Sequence, residues 1–228
     1  MQTQKIEGIV VSVSKYKDYD VLATVLTEQG TRKIKFTGVR RPNAKFAFAA
    51  QPFCCAEFLL SSDKDYAVVM GVDEKENLFG ITQNYDAFEM ASNMLKTANK
   101  IATDDCAELY YTLRISLSAL KEKDMDLLCV DCFFLAHILQ FLGVFDATGN
   151  CSVCGKSLEK GALFDEGTGA LFCSSCAPQS AAVLSGNVVE FATFCAEQLL
   201  STVLAKNASE GVKAQTQKVL RKILKNQL

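Results

Sequence analysis

With 228 residues and 49% hydrophobic side chains, the chain can bury a sizeable core, either as one domain or as two or three small ones. No apolar run approaches the roughly 20 residues of a membrane span, and Met1 to Lys5 lead into an alternating stretch rather than an apolar block, so neither a spanning helix nor a cleavable signal is expected and the chain is placed in the cytoplasm. The net charge of −2 conceals an asymmetry: residues 1–50 hold nine Lys or Arg against four Asp or Glu, which leaves 15 against 22 in the remainder. A basic end on an otherwise acidic protein is the footprint of a polyanion-binding face, although a solvated sheet surface would show the same count.

The first eighty residues alternate with period two and are rich in β-branched residues. Ile9, Val11 and Val13 mark one face of a first strand, and Val21, Ala23 and Val25 one face of a second. Glu28-Gln29-Gly30 turns into a third, where Ile34 and Phe36 alternate with Lys33 and Lys35. Runs from Phe53 to Leu60 and from Tyr66 to Val72 complete five strands. Five short strands with one strongly basic strand and loop suit a partly open barrel of the OB type, and an SH3-like barrel fits the pattern almost as well.

After Gly80 the period becomes helical. Phe88, Ala91, Leu95, Ala98 and Ala102 form one stripe, and Cys106, Leu109, Leu113, Leu117 and Leu120 a second. Asn84 or Asp86, Asp104 or Asp105, and Asp124 are the expected N-caps. Met125 to Leu142 is apolar nearly all round and reads as a buried helix stopped by Gly143. Cys129 and Cys132 belong to that core, as does the single histidine, His137. One buried ring cannot build a His-rich catalytic zinc site, and a Ser-His-Asp triad would have to be assembled around it, so no catalytic activity is expected.

Next come Cys151-x2-Cys154-x18-Cys173-x2-Cys176, two hooks whose spacing can place four thiolates around one tetrahedral ion. The intervening Gly155, Gly161, Gly167 and Gly169 point to hairpins and knuckle turns. Four Cys ligands fill the coordination sphere, so the expectation is one structural zinc per chain. In a reducing compartment the remaining Cys54, Cys55, Cys106 and Cys195 are assigned to packing rather than to disulfides. Gly149 to Ser157 looks like a phosphate-binding loop, but five residues separate its glycines where four are needed, and two of the five are the hook cysteines. Beyond Pro178 helices resume over Val188–Lys206 and Val212–Leu228, so the metal module reads as an insert between helices of one bundle. The last helix sets Val219, Leu220, Ile223 and Leu224 against a basic flank of Lys218, Arg221, Lys222 and Lys225, read as a solvated face.

The reading is therefore α+β: a barrel domain over 1–80, a helical domain over 81–149 and 180–228, and a zinc-ribbon-like insert over 150–179. In order along the chain, the run from Ile6 to Asp20, Leu26-Thr27, Gly30, Gly38-Val39-Arg40-Arg41, Gln51-Pro52-Phe53 and then helices interrupted by a four-Cys insert resemble the bacterial recombination mediators of the RecO family. The resemblance implies an OB-fold domain that binds single- and double-stranded DNA and anneals complementary strands without ATP. It further implies work with RecR, in some members RecF, and the C-terminal tail of the single-strand-binding protein to load RecA in the nucleoid. Some members lack the cysteines, so the metal supports the fold rather than the mechanism. By position, Arg32, Lys33, Lys35, Arg40, Arg41 and Lys45 match the family's DNA-contacting region. The near-neutral total charge implies modest, salt-dependent affinity. With no tryptophan, the nearby candidates for base stacking are Tyr16, Tyr19, Phe36, Phe46 and Phe48, most of them expected in the core. Two alternatives remain, an RNA-binding or translation-associated OB and zinc-ribbon protein and a thiol redox enzyme; competition between DNA and RNA separates the first, and metal content the second.

Overall fold

The computed structural model describes residues 3–61, 66–145, 148–158, 161–165, 168–179 and 181–228. Five strands, β1 (Thr3–Tyr16), β2 (Asp20–Thr27), β3 (Gly30–Phe36), β4 (Cys54–Ser61) and β5 (Ala67–Asn77), close a barrel in the order β1-β2-β3-β5-β4. β1 makes closure possible because it is long enough to serve two neighbours. Its first half pairs with β4, from Thr3↔Ser61 to Ile9↔Cys55, and its second half with β2, from Ile9↔Leu26 to Tyr16↔Asp20. At the crossover a Cβ on Gly8 would lie 2.4 Å from Val25 Cγ1 and 2.5 Å from the Leu26 carbonyl oxygen, so only glycine fits. β3 meets β5 in parallel through Ile34↔Ala67 and Lys35↔Val68, and the other pairings are antiparallel. That parallel closure selects the OB arrangement over the SH3-like alternative, and the barrel is closed rather than partly open.

The interior is filled by Val10, Val21, Ala23, Val25, Ile34, Phe36, Phe58, Leu60 and Val69 among others, with Phe36 and Phe58 edge to face at 6.1 Å. β2 and β3 follow the expected alternation, but β1 does not. A bulge between Val10 and Ser12 shifts its phase, so Val10 enters the core and Val13 is 39% exposed. Ile9 and Leu26, opposite one another on the outer face, are also fully buried, because helices α1 (Tyr85–Ile101) and α2 (Ala107–Leu120) pack on β1 and β2.

Asn84 caps α1, accepting from the Asp86 and Ala87 amides. The buried face of α1 is Ala87, Met90, Ala91, Met94, Leu95, Ala98 and Ile101; Phe88 stays at its edge against Phe53, and Ala102 is already the C-cap. α2 buries the expected Leu109, Leu113, Leu117 and Leu120, but neither Asp104 nor Asp105 caps it. Cys106 takes that position, its thiol donating to the Thr103 carbonyl at 3.0 Å and its amide to the Glu28 carbonyl at 2.8 Å. Glu76 accepts from Ser118 and Lys121, and Glu7 from Arg114, fastening α2 to the barrel.

The chain divides into two compact units, Met1–Lys123 and Asp124–Leu228. α1 and α2 thus share a unit with the barrel, whereas the change of period suggested a boundary at residue 80. The second unit begins with α3 (Leu127–Phe141), capped by Asp126 instead of Asp124, which adopts a left-handed φ of 59°. α3 is buried nearly all round, as expected, and packs on α4 (Gly186–Glu197), α5 (Leu200–Ala205) and α6 (Glu210–Gln227). The helix expected from Val188 to Lys206 is broken at Gln198 and Leu199, both extended. No glycine or proline marks the break; it lets Leu200 and Val203 turn inward while Leu199 stays 73% exposed. α6 buries Leu220, Ile223 and Leu224 as expected, with Thr216 in place of Val219. No helix among the described residues is long and apolar enough to cross a membrane.

Candidate metal centre and nucleic-acid interface

A three-stranded sheet of β6 (Ala162–Phe164), β7 (Leu171–Phe172) and β8 (Ala182–Leu184), ordered β7-β6-β8, carries the cysteine hooks. β8 lies beyond the expected end of the insert at residue 179. The first hook is a tight hairpin. The Cys151 amide donates to the Lys156 carbonyl at 2.8 Å and the Gly155 amide to the Cys151 carbonyl at 2.9 Å, with Gly155 at φ 70°, where a side chain would be strained. The second hook turns on the Cys173 carbonyl, which accepts from the Cys176 and Ala177 amides at 3.1 Å. Ser152 ties the hooks together, its amide and hydroxyl both donating to the Leu171 carbonyl, at 2.9 and 3.0 Å. Of the expected turn glycines, Gly161 and Gly169 have positive φ, and Gly167 lies outside the described residues.

The sulfur atoms of Cys151, Cys154, Cys173 and Cys176 lie within 4.8 Å of one another, and Cys154 and Cys173 are 3.8 Å apart. Zinc–sulfur bonds of about 2.3 Å in a tetrahedron put sulfurs about 3.8 Å apart, so this spacing is of coordination size. The electrostatics agree. Amides of Cys173 and Cys154 directed at the Cys151 sulfur favour its thiolate and hold its pKa down at about 6. The Ser175 amide lowers Cys173 similarly, while hydrogen bonding with the Cys173 and Cys154 sulfurs pushes Cys176 up to about 12. Four thiolates this close repel one another unless a cation sits among them, so the donor set fits a thiophilic divalent ion with no open position.

The remaining thiols contrast with these. Burial pushes Cys54 and Cys195 up to about 12 and Cys55 and Cys129 to about 11, and raises Cys132 further. All ten cysteines are free thiols. His137 is half-buried, its ring 4.3 Å from that of Phe133.

The basic residues of the barrel fall into two groups. Lys33 and Lys35, two apart on β3 and opposite Thr24 and Leu22, share the outer face, whereas Arg32, opposite Val25, is in the alternate phase but exposed at the strand start. Arg40 and Arg41 lie in the β3–β4 loop, bound to the β1–β2 turn. The Arg40 amide donates to the Tyr19 carbonyl and its Nη1 to the Asp18 carbonyl, both at 3.0 Å, and Arg41 lies over the Tyr19 ring at 5.0 Å. Lys45, further along, sits over Phe46 at 5.2 Å. Of the aromatic candidates Phe36 is core, Phe46 and Tyr16 are half-buried, Phe48 is 39% exposed and Tyr19 50% exposed. Sequence reasoning missed Tyr66, whose ring meets Tyr16 edge to face at 5.8 Å although β1 and β5 do not pair. It also missed Asp131, buried in α3, which accepts from Gln217 at 2.8 Å and from Arg221 at 2.9 Å. Arg221 is therefore engaged in the second unit's packing and is not simply part of a solvated basic flank.

Comparison with known proteins places this geometry. Residues 1–73 match the family described as Recombination protein O N terminal, and residues 83–228 match Recombination protein O C terminal. The chain is 28% identical over 179 residues to DNA repair protein RecO of Thermoanaerobacter sp. strain X514, covering 77% of this chain and 72% of the relative. It is 29% identical over 179 residues to the protein of that name from Desulforudis audaxviator, covering 77% and 71% of the two chains. With the RecO of Desulforamulus reducens the identity is 24% over 227 residues, 97% of this chain and 88% of the relative. The two matched regions together span the barrel, the helices and the cysteine module, and the chain belongs to the RecO family of DNA repair and recombination proteins.

Proposed function

We propose that this chain is a recombination mediator that acts by binding rather than by catalysis. In this reading the barrel binds single- and double-stranded DNA and anneals complementary strands, and the protein helps RecR, in some settings with RecF, to load RecA onto DNA coated with single-strand-binding protein in the bacterial nucleoid. The observation that carries the reading is the OB barrel of a RecO-family chain with Lys33 and Lys35 on one outer face and Arg40 and Arg41 in the adjoining loop. Cations in that arrangement meet phosphates without reading sequence. Arg32 and Lys45 extend the set. One zinc ion per chain on the four cysteines would be structural, since its ligands leave no position for substrate.

The acidic, apolar tail of the single-strand-binding protein needs an apolar groove rimmed by cations. Of the candidate rims Arg114, Lys121, Lys123 and the Lys218–Lys225 flank, Arg114 and Lys121 are neutralised by Glu7 and Glu76, which favours the exposed Lys123 or the exposed Lys218 and Lys225 of α6. The test of the whole reading is strand annealing with and without the cognate single-strand-binding protein. Replacing Lys33, Lys35, Arg40 and Arg41 together by glutamate should weaken DNA binding irrespective of sequence. It should also flatten the dependence of log K on log salt, by about 0.9 per lost duplex phosphate contact. Unchanged affinity and slope would remove the barrel face from the mechanism, and preferential competition by RNA would move the reading to an RNA-binding protein.

A further inference from the structure

The end of the barrel near the β1–β2 turn carries a second kind of feature. Tyr16 closes β1 opposite Asp20, and the turn between them, Lys17 to Tyr19, opens with Lys17 at a left-handed φ of 58°. The turn is held from the β3–β4 loop by three hydrogen bonds: two from Arg40, to the Tyr19 and Asp18 carbonyls, and one from the Gly38 amide to Asp20 Oδ1 at 2.8 Å. On this fixed turn Tyr19 is 50% exposed, with the Arg41 guanidinium over its ring. Lys17 stands 5.5 Å from the Tyr16 ring centre, and Tyr66 abuts Tyr16. The Arg41–Tyr19 pair and the cluster of Lys17 and Tyr66 on Tyr16 therefore lie on either side of one turn, at the Lys35 end of β3.

A solvated turn needs no aromatic ring, and rigid rings with cations against them are what unpaired bases stack on. Duplex bases are already stacked on one another and reach such a ring only after unstacking. Backbone phosphates are common to both forms. We propose that Tyr19, backed by Arg41 and continued by Tyr16 and Tyr66, is a stacking site for unpaired nucleobases, and that it gives this chain a preference for single strands which the Lys33 and Lys35 face does not. The inference rests on the DNA-binding reading above. A purely structural cation–π staple between two loops is the competing account.

The chain has no tryptophan, so Tyr19→Trp installs a sole indole reporter. Its emission should be quenched by an oligothymidylate and not by a duplex at equal occupancy. In the full-length protein, Tyr19→Leu should weaken oligothymidylate binding about tenfold, within the range expected for loss of one stacked base, and leave duplex affinity within about twofold. Tyr19→Phe should bind like the parent, and its behaviour separates a lost stack from a disturbed turn. Equal losses on both nucleic acid forms, or a tryptophan blind to bound single strand, overturn the stacking site. A parent chain that binds neither form overturns the DNA-binding reading along with it. Binding to both forms that is indifferent to Tyr19 overturns the stacking site alone.

Discussion

The barrel and the cysteine module both hold short strands together, and they do so by different chemistry. In the barrel every strand has two hydrogen-bonded neighbours, and the interior is a closed set of apolar side chains in which Cys54 is simply one more small hydrophobe, its thiol pushed up to about 12 by burial. In the module the strands are two or three residues long, and the sulfurs are gathered at one point with backbone amides directed at them. So few ladder bonds offset little of the chain entropy of two hooks and their turns, and an ion on the four sulfurs would supply the difference. The same residue type is inert filler in one region and donor set in the other, and the local backbone makes that distinction.

The largest expected effect tests the module. A zinc ion held by four thiolates contributes on the order of 10–16 kcal/mol in peptides of this kind. Elemental analysis should find one zinc per chain. Chelation or Cys173→Ser should unfold the module and expose Cys151, Cys154 and Cys176 to alkylation while Cys54 and Cys55 stay protected, as read by mass spectrometry. A metal-free chain with an ordered module would show that its hydrogen bonds suffice without an ion. From the other side, Phe58→Ala should cost the barrel about 3–5 kcal/mol through the cavity it leaves, and Gly8→Ala about 1–3 kcal/mol by crowding Val25 and the Leu26 carbonyl. Urea unfolding followed in the presence and absence of chelator should show both barrel losses to be independent of metal.

The helices of the second unit have ties of their own, Asp131 to Gln217 and Arg221 among them. Asp131→Ala leaves Gln217 without its acceptor, but Arg221 is half exposed and can turn to water, so the expected loss is about 1–3 kcal/mol. Hydrogen exchange should locate it in α3 and α6. The smallest effect concerns Glu76. Burial alone would raise its pKa, but Lys121 and Ser118 hydrogen bonds outweigh this and hold it below the usual carboxylate value. Its contribution is therefore present above the ordinary value of 4.5 and is lost as pH falls through the depressed folded value. Glu76→Gln should flatten the acid limb of the barrel unit's stability by about 1 kcal/mol, measured as urea midpoints between about pH 5 and 3.

Features set by neighbours in the chain were legible in the sequence alone. Hook spacing named the four cysteines whose sulfurs converge, period two named the cores of β2 and β3, period 3.6 named the buried face of α2, Asn84 was one of the two N-caps offered for α1, and Gly143 marked the end of α3. Each is a repeat or a local backbone preference, so a few adjacent residues suffice to state it. What required the tertiary structure is set by partners distant in sequence. The bulge that brings Val10 inward depends on β2, the choice of OB over SH3 closure on one parallel pairing of β3 with β5, and the break before Leu200 on the core that α5 packs against. Tyr66 beside Tyr16, and Asp131 beneath Arg221, are meetings of residues 50 and 90 positions apart, which no local pattern encodes because only the closed barrel and the packed helices bring them within reach.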